Sequence, residues 1–509
     1  MQGSHRLMFL IVIALGLLNF FFGEKVQSGG GFGWDGVLYA EMVRDLESMI
    51  SLGQLSSYYS LRILPSAVVR GMLFLVNAQM TDINIIRGFE VYNLLLLVGV
   101  CLVWKLLSDS FALSLAGRWA GFGGIFINFQ CSKQAFYYPV LTDVTALFCG
   151  MLLLLFYVRK KPLLLFLTSI IGAFAWPVAL VFGALLLIFL EGNLPSRAVA
   201  PKPSRFSMGG VTVPYLVKLG GLLVLIGSIY GYALAPILGL EFACTAPSPV
   251  GFCTLEGLLT GAPSLFGLLV ALAVLLGSWV FLMDSFSCLL RTRFFLIFLA
   301  VASVVIPALL VGLIANPEIQ NPGGWQVTIT YLLLPPVGKF LLSTLTLVLF
   351  WGPLVLLLII YWREFCVEAR RLGLGFVAVI FISLPLGFLG EPRMITLGWP
   401  FFVLGVVLVL ERLEKKASFK YVLGLFTVLY AQFWLVINVS PWLSLDDASL
   451  LEFPVQLYFM HYGLWMSWFS YFLQLPVVII SVVLLRNSIV GVSADIEVWE
   501  HSGDKAVSK

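Results

Sequence analysis

Apolar residues run along this chain in blocks of about 20, a length that lets an α-helix cross the hydrocarbon core of a bilayer. Polar, glycine-containing or proline-containing segments separate the blocks. We therefore predict about 14 membrane-spanning helices. The predicted spans cover residues 7–23, 85–107, 111–130, 141–158, 162–176, 178–191, 213–238, 264–283, 294–315, 340–361, 373–389, 394–411, 420–439 and 468–485.

Two neighbouring blocks, 162–176 and 178–191, are too short for a pair of ordinary spans. They meet at Trp176 and Pro177 and share about 30 apolar residues, whereas two full crossings need about 40. We expect short helices or a broken, re-entrant hairpin here, because proline interrupts helices and a broken helix is tolerated where protein surrounds it.

The composition supports lipid as the solvent. The chain is 60% hydrophobic and only 11% charged, with a mean hydropathy of +1.02, against about 25% charged residues in soluble domains. The predicted fold class is an all-α polytopic membrane protein, with a single transmembrane domain over 1–490 and a short cytoplasmic tail over 491–509. The first block, 7–22, is predicted to stay as the first helix, since no small-residue cleavage site follows it.

The distribution of Lys and Arg orients the predicted spans. With a cytoplasmic N-terminus, most of the 30 basic residues fall on the cytoplasmic side, and Arg118 falls within a span. This bias is the usual one for membrane proteins. It places both termini in the cytoplasm of an integral membrane protein. No long basic run is present, so nucleic acid is not an expected partner.

The longest predicted outer loop, 24–84, carries structure of its own. Residues 37–55 place Leu38, Met42 and Leu46 near one helix face, and residues 63–76 form a second apolar stretch. Both are predicted as amphipathic helices that lie along the membrane surface.

Candidate chemistry begins in this loop. A glycine-rich turn presents Asp35, and Tyr39, Tyr59 and Arg62 follow it. The functional interpretation is a catalytic carboxylate on an aromatic surface, with an arginine nearby whose planar fork suits a phosphate group. The alternative is a solvated loop whose charges hold the surface helices at the interface.

Two further candidates lie at the predicted outer ends of later spans. Asp143 follows Tyr138 at the start of the fourth span, where an ionisable residue needs a cavity or a partner; the alternative is a helix N-cap. Arg393 and Glu391 occupy a short hairpin before the span at 394–411. The alternative for these two is a local surface ion pair, which stabilises little.

Other residues give weaker signals. His461 lies in a predicted outer aromatic loop, where a lone histidine is more often structural. Cys244 and Cys253 are close in sequence in another outer loop, and a disulfide between them is left open. No Cys-x-x-Cys or Cys/His spacing predicts a metal site.

Four stretches together resemble the GT-C superfamily of membrane glycosyltransferases, in its bacterial, polyprenyl-phosphate-dependent form. They are residues 34–39 early in the first outer loop, the Arg62–Pro65 stretch, residues 138–143 at the fourth span, and residues 391–393. The topology of one span followed by a long outer loop is similar as well. Asp35 stands alone, where members often carry an acidic pair.

The resemblance implies that a sugar moves from a polyprenyl-phosphate-linked donor to a lipid-linked or surface glycan or protein acceptor. Transfer would occur on the non-cytoplasmic face of a bacterial plasma membrane, with inversion. Asp35 would be the general base, Asp143 would bind sugar hydroxyls or orient the acceptor, and Arg393 with Arg62 would hold the phosphate. The remaining candidates for substrate contact are Tyr39, Tyr59, Tyr138, Glu391 and His461. Some members use a divalent metal, Mg²⁺ or Mn²⁺, and this stays open here.

A multi-span transporter or a lipid or glycan flippase is the competing interpretation. Such a protein would carry ionisable residues near the bilayer midplane. Here Arg118 is the main charge within a span and Glu90 lies near a span end. The candidate residues gather at the predicted outer boundary instead, which favours an enzyme acting on a lipid headgroup.

Overall fold

A computed structural model describes residues 2–33, 35–190, 294–319, 341–387, 391–433, 435–438, 466 and 468–492. These residues are mostly helical, as the apolar pattern predicts, with one two-stranded sheet. The helices are α1 (Gln2–Phe22), α2 (Asp35–Ser51), α3 (Ser57–Ser60), α4 (Ile63–Leu75), α5 (Asp82–Ser110), α6 (Leu115–Phe126), α7 (Ala135–Tyr137), α8 (Asp143–Val158), α9 (Pro162–Ala173), α10 (Val178–Ile188), α11 (Phe294–Ile314), α12 (Leu342–Trp351), α13 (Leu354–Ile360), α14 (Trp362–Leu372), α15 (Leu374–Gly387), α16 (Trp399–Arg412), α17 (Phe419–Ala431) and α18 (Trp468–Asn487).

Four of the described helices are long and apolar enough to cross a membrane. They are Ser4–Phe22, Asp82–Ser110, Phe294–Ile314 and Ser470–Asn487. Most other predicted spans appear as shorter apolar helices, including α9 and α10, which are 12 and 11 residues long. These two pack against each other, in keeping with the expected short hairpin. The predicted spans 213–238 and 264–283 lie outside the described residues.

The predicted surface helices of the first loop are confirmed as helices. In α2 the apolar residues Met42 and Val43 are buried against α4, while Glu41 is exposed. Arg70 on α4 donates to the carbonyl of Val43 at 2.8 Å and forms an ion pair with Glu47. One arginine thus joins the two helices.

Two predicted spans are interrupted in the structure. The helix predicted over 111–130 ends at Phe126, and a π-helical segment follows at Gln130–Gln134. The span predicted over 340–361 breaks at Gly352, whose φ of +85° favours glycine, and at Pro353. The sequence stays apolar on both sides of the break at Gly352, so hydrophobic length alone could not reveal that break. The break after Phe126 leads instead into a polar segment, residues 130–134.

Two regions of the structure differ from what the sequence predicts. Arg118 is buried, as its place in an apolar block suggests, but it pairs with Asp109 at 2.7 Å.

Residues Leu413–Lys415 and Ile489–Val492 form an antiparallel strand pair that the apolar pattern does not predict.

A close approach of backbones places α8 beside the hairpin that carries Arg393. A Cβ atom on Gly150 would lie 2.1 Å from the carbonyl oxygen of Leu397. Only glycine permits this contact without a shift of the backbone. The start of α8, at Asp143, is thereby held near residues 391–396.

A carboxylate clamp ties the start of the first loop to distant segments. Glu24 accepts hydrogen bonds from the backbone amides of Ile437 at 2.9 Å and Asn438 at 3.0 Å, and from Lys133 Nζ at 2.9 Å. Burial alone would raise the pKa of Glu24. The hydrogen bonds from Ile437 and Lys133 outweigh burial and lower the pKa below its usual value.

We expect Glu24→Gln to destabilise the protein by about 2 kcal/mol at neutral pH, since it weakens hydrogen bonds to a charged acceptor. A lowered carboxyl pKa contributes stability above the ordinary carboxyl range, and this contribution disappears as the pH falls through the lowered pKa. Thermal unfolding in detergent as a function of pH measures the difference. Glu41→Gln, at an exposed site, is the control, and equal effects of the two substitutions would contradict the clamp.

Candidate functional site

Asp143 is a buried carboxylate at the start of α8, with 3% of its side chain exposed. Thr142 precedes the helix and makes no side-chain capping hydrogen bond, and Asp143 itself is the first helical residue. The N-cap interpretation is therefore wrong for this pair. Neither carboxylate oxygen of Asp143 accepts a hydrogen bond from another residue in the described part of the chain. A buried carboxylate in this state needs compensation from charge or from a ligand.

Arg393 supplies the nearest described positive charge. Its Nη1 lies 3.7 Å from Asp143 Oδ2, and its Nε lies 3.2 Å from Glu391 Oε2. The predicted Glu391–Arg393 pair is therefore present, but it is not a simple surface pair, because Arg393 also faces a buried acid. Trp351 Nε1 donates to the carbonyl of Pro392 at 2.8 Å, which fixes the hairpin between the two charged residues.

Neighbouring carboxylates stabilise the positive charge of Arg393. Burial lowers the pKa of a guanidinium, but the carboxylates of Glu391, Asp143 and Asp35 raise the pKa of Arg393 further than burial lowers it. Arg393 is 26% exposed, so it can reach a ligand that arrives from the surface.

Asp35 begins α2 beside the same group. It is half-buried and lies within electrostatic reach of Arg393 and Tyr59. The backbone amide of Gly36 donates to the hydroxyl of Tyr138 at 3.3 Å. The loop that presents Asp35 therefore packs on the segment that leads to Asp143.

Arg62 lies at the start of α4. Its guanidinium lies over the ring of Tyr58, 3.7 Å from the centroid, and its Nη1 donates to the carbonyl of Tyr58 at 2.9 Å. A guanidinium has five N–H donors, so this bond uses one of several. Arg62 also acts electrostatically on Asp143 and Tyr39.

Three tyrosines of the first loop line this group of charges. Tyr39 and Tyr59 meet edge to face with ring centroids 6.0 Å apart, and Tyr58 and Tyr59 meet at 4.9 Å. Burial raises the pKa of Tyr39 well above its usual value and raises the pKa of Tyr59 to about 12. Their hydroxyls stay protonated at neutral pH, so they can act as hydrogen-bond donors.

The charged residues Asp35, Arg62, Asp143, Glu391 and Arg393 therefore form one group, which we call the acid–arginine cluster. They come from three distant parts of the sequence, and contacts or electrostatic interactions connect them. Among the sequence candidates, Tyr39, Tyr59 and Tyr138 adjoin the cluster. His461 lies outside the described residues, as do Cys244 and Cys253.

The described residues do not fit a conventional divalent-metal site. Among them there is no group of three His, Cys, Asp or Glu side chains that could hold an ion. The carboxylates of the cluster are interleaved with two arginines instead, whose positive charges disfavour the double charge of a divalent ion. We therefore assign no step to Mg²⁺ or Mn²⁺.

Sequence reasoning missed three polar residues next to Asp143. Asn93, Gln130 and Gln134 are buried and line a small pocket with Asp143 and Tyr138. The signal was present, because Gln130 and Gln134 belong to a polar run inside an otherwise apolar block. A prediction of spans from the length of apolar blocks does not take such a short polar run into account.

Comparisons with protein-family models, with curated proteins and with solved structures give no match.

The glycine turn yields a matched pair of substitutions. Gly30 and Gly33 have similar φ values of +65° and +73°, so alanine pays similar backbone strain at either position. A Cβ at Gly33 would lie 2.1 Å from the ring of Tyr138, whereas none of the described atoms lies within 4 Å of a Cβ at Gly30. We expect Gly33→Ala to cost about 1–3 kcal/mol more than Gly30→Ala, the usual range for overpacking. Thermal unfolding of both variants measures the difference, and equal losses would show that the turn does not pack on Tyr138.

Proposed function

We propose that this protein is an integral membrane glycosyltransferase that takes a sugar from a polyprenyl-phosphate-linked donor. The acid–arginine cluster supports the proposal: the buried Asp143 lies 3.7 Å from the guanidinium of Arg393, and the half-buried Asp35 interacts electrostatically with the same guanidinium. Carboxylates suit proton transfer and the binding of sugar hydroxyls, and guanidinium groups suit phosphate. The resemblance of four sequence stretches to GT-C enzymes supports the same reaction class.

Asp35 is the general base of the proposed reaction, because it is the more exposed of the two aspartates. An acceptor hydroxyl attacks the anomeric carbon of the donor sugar and loses its proton to the carboxylate of Asp35. The bond between that carbon and the phosphate oxygen breaks, and the electron pair leaves with the phosphate. Attack from the face opposite the leaving group inverts the anomeric centre.

Arg393 stabilises the leaving phosphate, and Arg62 assists it. Charge develops on the phosphate oxygen as the bond breaks, and fixed guanidinium donors favour that charge more than they favour the ground state. Asp143 orients a sugar or acceptor hydroxyl. The protonated tyrosines Tyr39 and Tyr59 donate hydrogen bonds to the sugar.

The proposed topology follows from the apolar blocks and the basic residues. About 14 spans and cytoplasmic termini place the cluster on the non-cytoplasmic side of a bacterial plasma membrane. A lipid-linked donor then reaches the cluster from the membrane, and the acceptor is a lipid-linked or surface glycan or a protein. The surface helices α2 and α4 would lie at the headgroup level.

A transporter or flippase has weaker support. A transport path needs ionisable groups deep in the membrane. The buried charges Glu90 and Arg118 are paired, Glu90 with Lys25 at 2.6 Å and Arg118 with Asp109 at 2.7 Å. Paired charges of this kind are consistent with a structural role.

We expect Asp35→Asn to reduce sugar transfer by about 10²–10⁴-fold, the usual contribution of a positioned general base. The assay supplies a panel of synthetic polyprenyl-phosphate hexoses with a labelled sugar to membranes that contain the expressed protein and their own acceptors. Asp45→Asn is the control, because Asp45 is exposed on the same helix and bonds only to Ser48 among the described side chains. Full transfer by Asp35→Asn would remove the proposed base.

We expect Arg393→Lys to weaken donor binding by roughly 10–100-fold, since a bidentate charged hydrogen bond becomes a single point contact. Binding of radiolabelled polyprenyl phosphate to the purified protein measures this. Arg44→Lys is the control, because Arg44 pairs with Asp82 at the periphery. Unaltered donor affinity in Arg393→Lys would leave Arg393 as a purely structural residue.

A further inference from the structure

A small pocket next to the acid–arginine cluster is unusual in its polarity. It has an empty volume of about 150 Å³ and is lined by Asn93, Gln130, Gln134, Ala135, Tyr138, Leu141, Asp143 and Val144. Its polar residues are almost fully buried, with exposures of 1% for Asn93 and Gln130, 2% for Asp143 and 3% for Gln134. They come from α5, the π-helical segment and α8.

The oxygen atoms of these four side chains lack hydrogen-bond partners within the described part of the chain. The atoms are Asn93 Oδ1, Gln130 Oε1, Gln134 Oε1, Asp143 Oδ1 and Asp143 Oδ2. The orientation of Asn93 is determined, because its Nδ2 donates at 2.8 Å to the carbonyls of both Ala135 and Pro139. Its Oδ1 is therefore the atom left for a ligand. Leaving one buried acceptor unpaired is costly, and native proteins leave few of them.

Size restricts what can satisfy these oxygens. A water-sized sphere does not fit between the lining residues, so a water molecule or a sugar ring enters only if side chains move. A bare metal cation is smaller than water. A cation also satisfies several acceptors at once. The fully buried, unpaired side-chain atoms of the pocket's described residues comprise five oxygens and one donor, Gln130 Nε2.

Charge restricts the ligand further. The acid–arginine cluster has three acids, Asp35, Asp143 and Glu391, and two bases, Arg62 and Arg393. Its formal charge is therefore −1, and one monovalent cation neutralises it. A divalent ion would leave an excess positive charge beside Arg393, and Mg²⁺ in particular keeps several of its waters, for which the pocket has no room.

We propose that this pocket binds one dehydrated Na⁺ ion, with Asp143 as its charged ligand and Asn93, Gln130 and Gln134 as neutral oxygen ligands. The backbone context supports the assignment, because single-turn π-helical segments occur frequently at functional sites. Interrupted helices supply sodium sites in other membrane proteins. The ion would be present whatever reaction the protein catalyses, so the proposal stands independently of sugar transfer.

The test uses the purified full-length chain in detergent and requires neither donor nor acceptor. Thermal unfolding is followed by tryptophan fluorescence while NaCl replaces N-methyl-D-glucamine chloride at constant ionic strength. A ligand that binds only the folded state raises the unfolding temperature in a saturable manner. We expect a rise of about 2–4 °C with Na⁺, a smaller rise with the larger K⁺, and about one ²²Na⁺ bound per chain. Identical unfolding temperatures in all three salts, together with no bound ²²Na⁺, would overturn the proposal.

Variants localise the ion. Asp143→Asn should abolish ²²Na⁺ binding, and Gln130→Met should weaken it at least about 10-fold, although neither removes a side-chain hydrogen bond recorded in the described structure. Glu368→Gln is the matched control, since Glu368 is also a buried carboxylate but pairs with Arg371 and Arg412 elsewhere. Retained binding in Asp143→Asn, or equal loss in Glu368→Gln, would place the ion elsewhere and overturn the assignment. Loss of sugar transfer with ²²Na⁺ binding intact would bear on the proposed reaction alone.

Discussion

A buried carboxylate must be compensated, and the arrangement around Asp143 follows from that requirement. In a region of low dielectric the charge of Asp143 is tolerated only with a cation or a hydrogen-bond donor close by. Arg393, whose Nη1 lies 3.7 Å from Asp143 Oδ2, compensates part of the negative charge of Asp143, but Arg393 also pairs with Glu391. The close contact of Gly150 with Leu397 and the hydrogen bond from Trp351 to the hairpin hold Arg393 in place.

The helices were predictable because their signal is local. Apolar blocks and amphipathic periodicity depend on residues a few positions apart, so the helices α1, α2 and α4 could be placed from the sequence. The breaks at residues 127–134 and at Gly352 depend on how neighbouring segments pack. The strand pair of residues 413–415 and 489–492 joins segments more than 70 residues apart, and neither segment carries a distinguishing pattern.

The candidate site was predictable in part, for a related reason. Asp143 and Arg393 were selected because charges at the ends of apolar blocks need an explanation, and Asp35 was selected because a glycine-rich turn presents it. The structure brings the three residues near one another. Asn93, Gln130 and Gln134 were not selected, because neutral amides cost less than charges in an apolar block and attract less notice. Only the packing of α5 against the start of α8 shows that their oxygens share a pocket with Asp143.

Asp143 belongs both to the acid–arginine cluster and to the polar pocket next to it. Oδ2 lies 3.7 Å from Arg393 Nη1, and Asp143 also lines the pocket that holds the unpaired amide oxygens. A cation in the pocket would neutralise the charge of Asp143 and weaken the electrostatic attraction between Asp143 and Arg393. The guanidinium would then be better able to donate to an incoming anionic group, because its competing partner would already be neutralised. By linkage, an anion at Arg393 would tighten the cation in turn. The buried aspartate thus provides a physical route by which occupancy of the pocket could change the affinity of Arg393 for an anionic group.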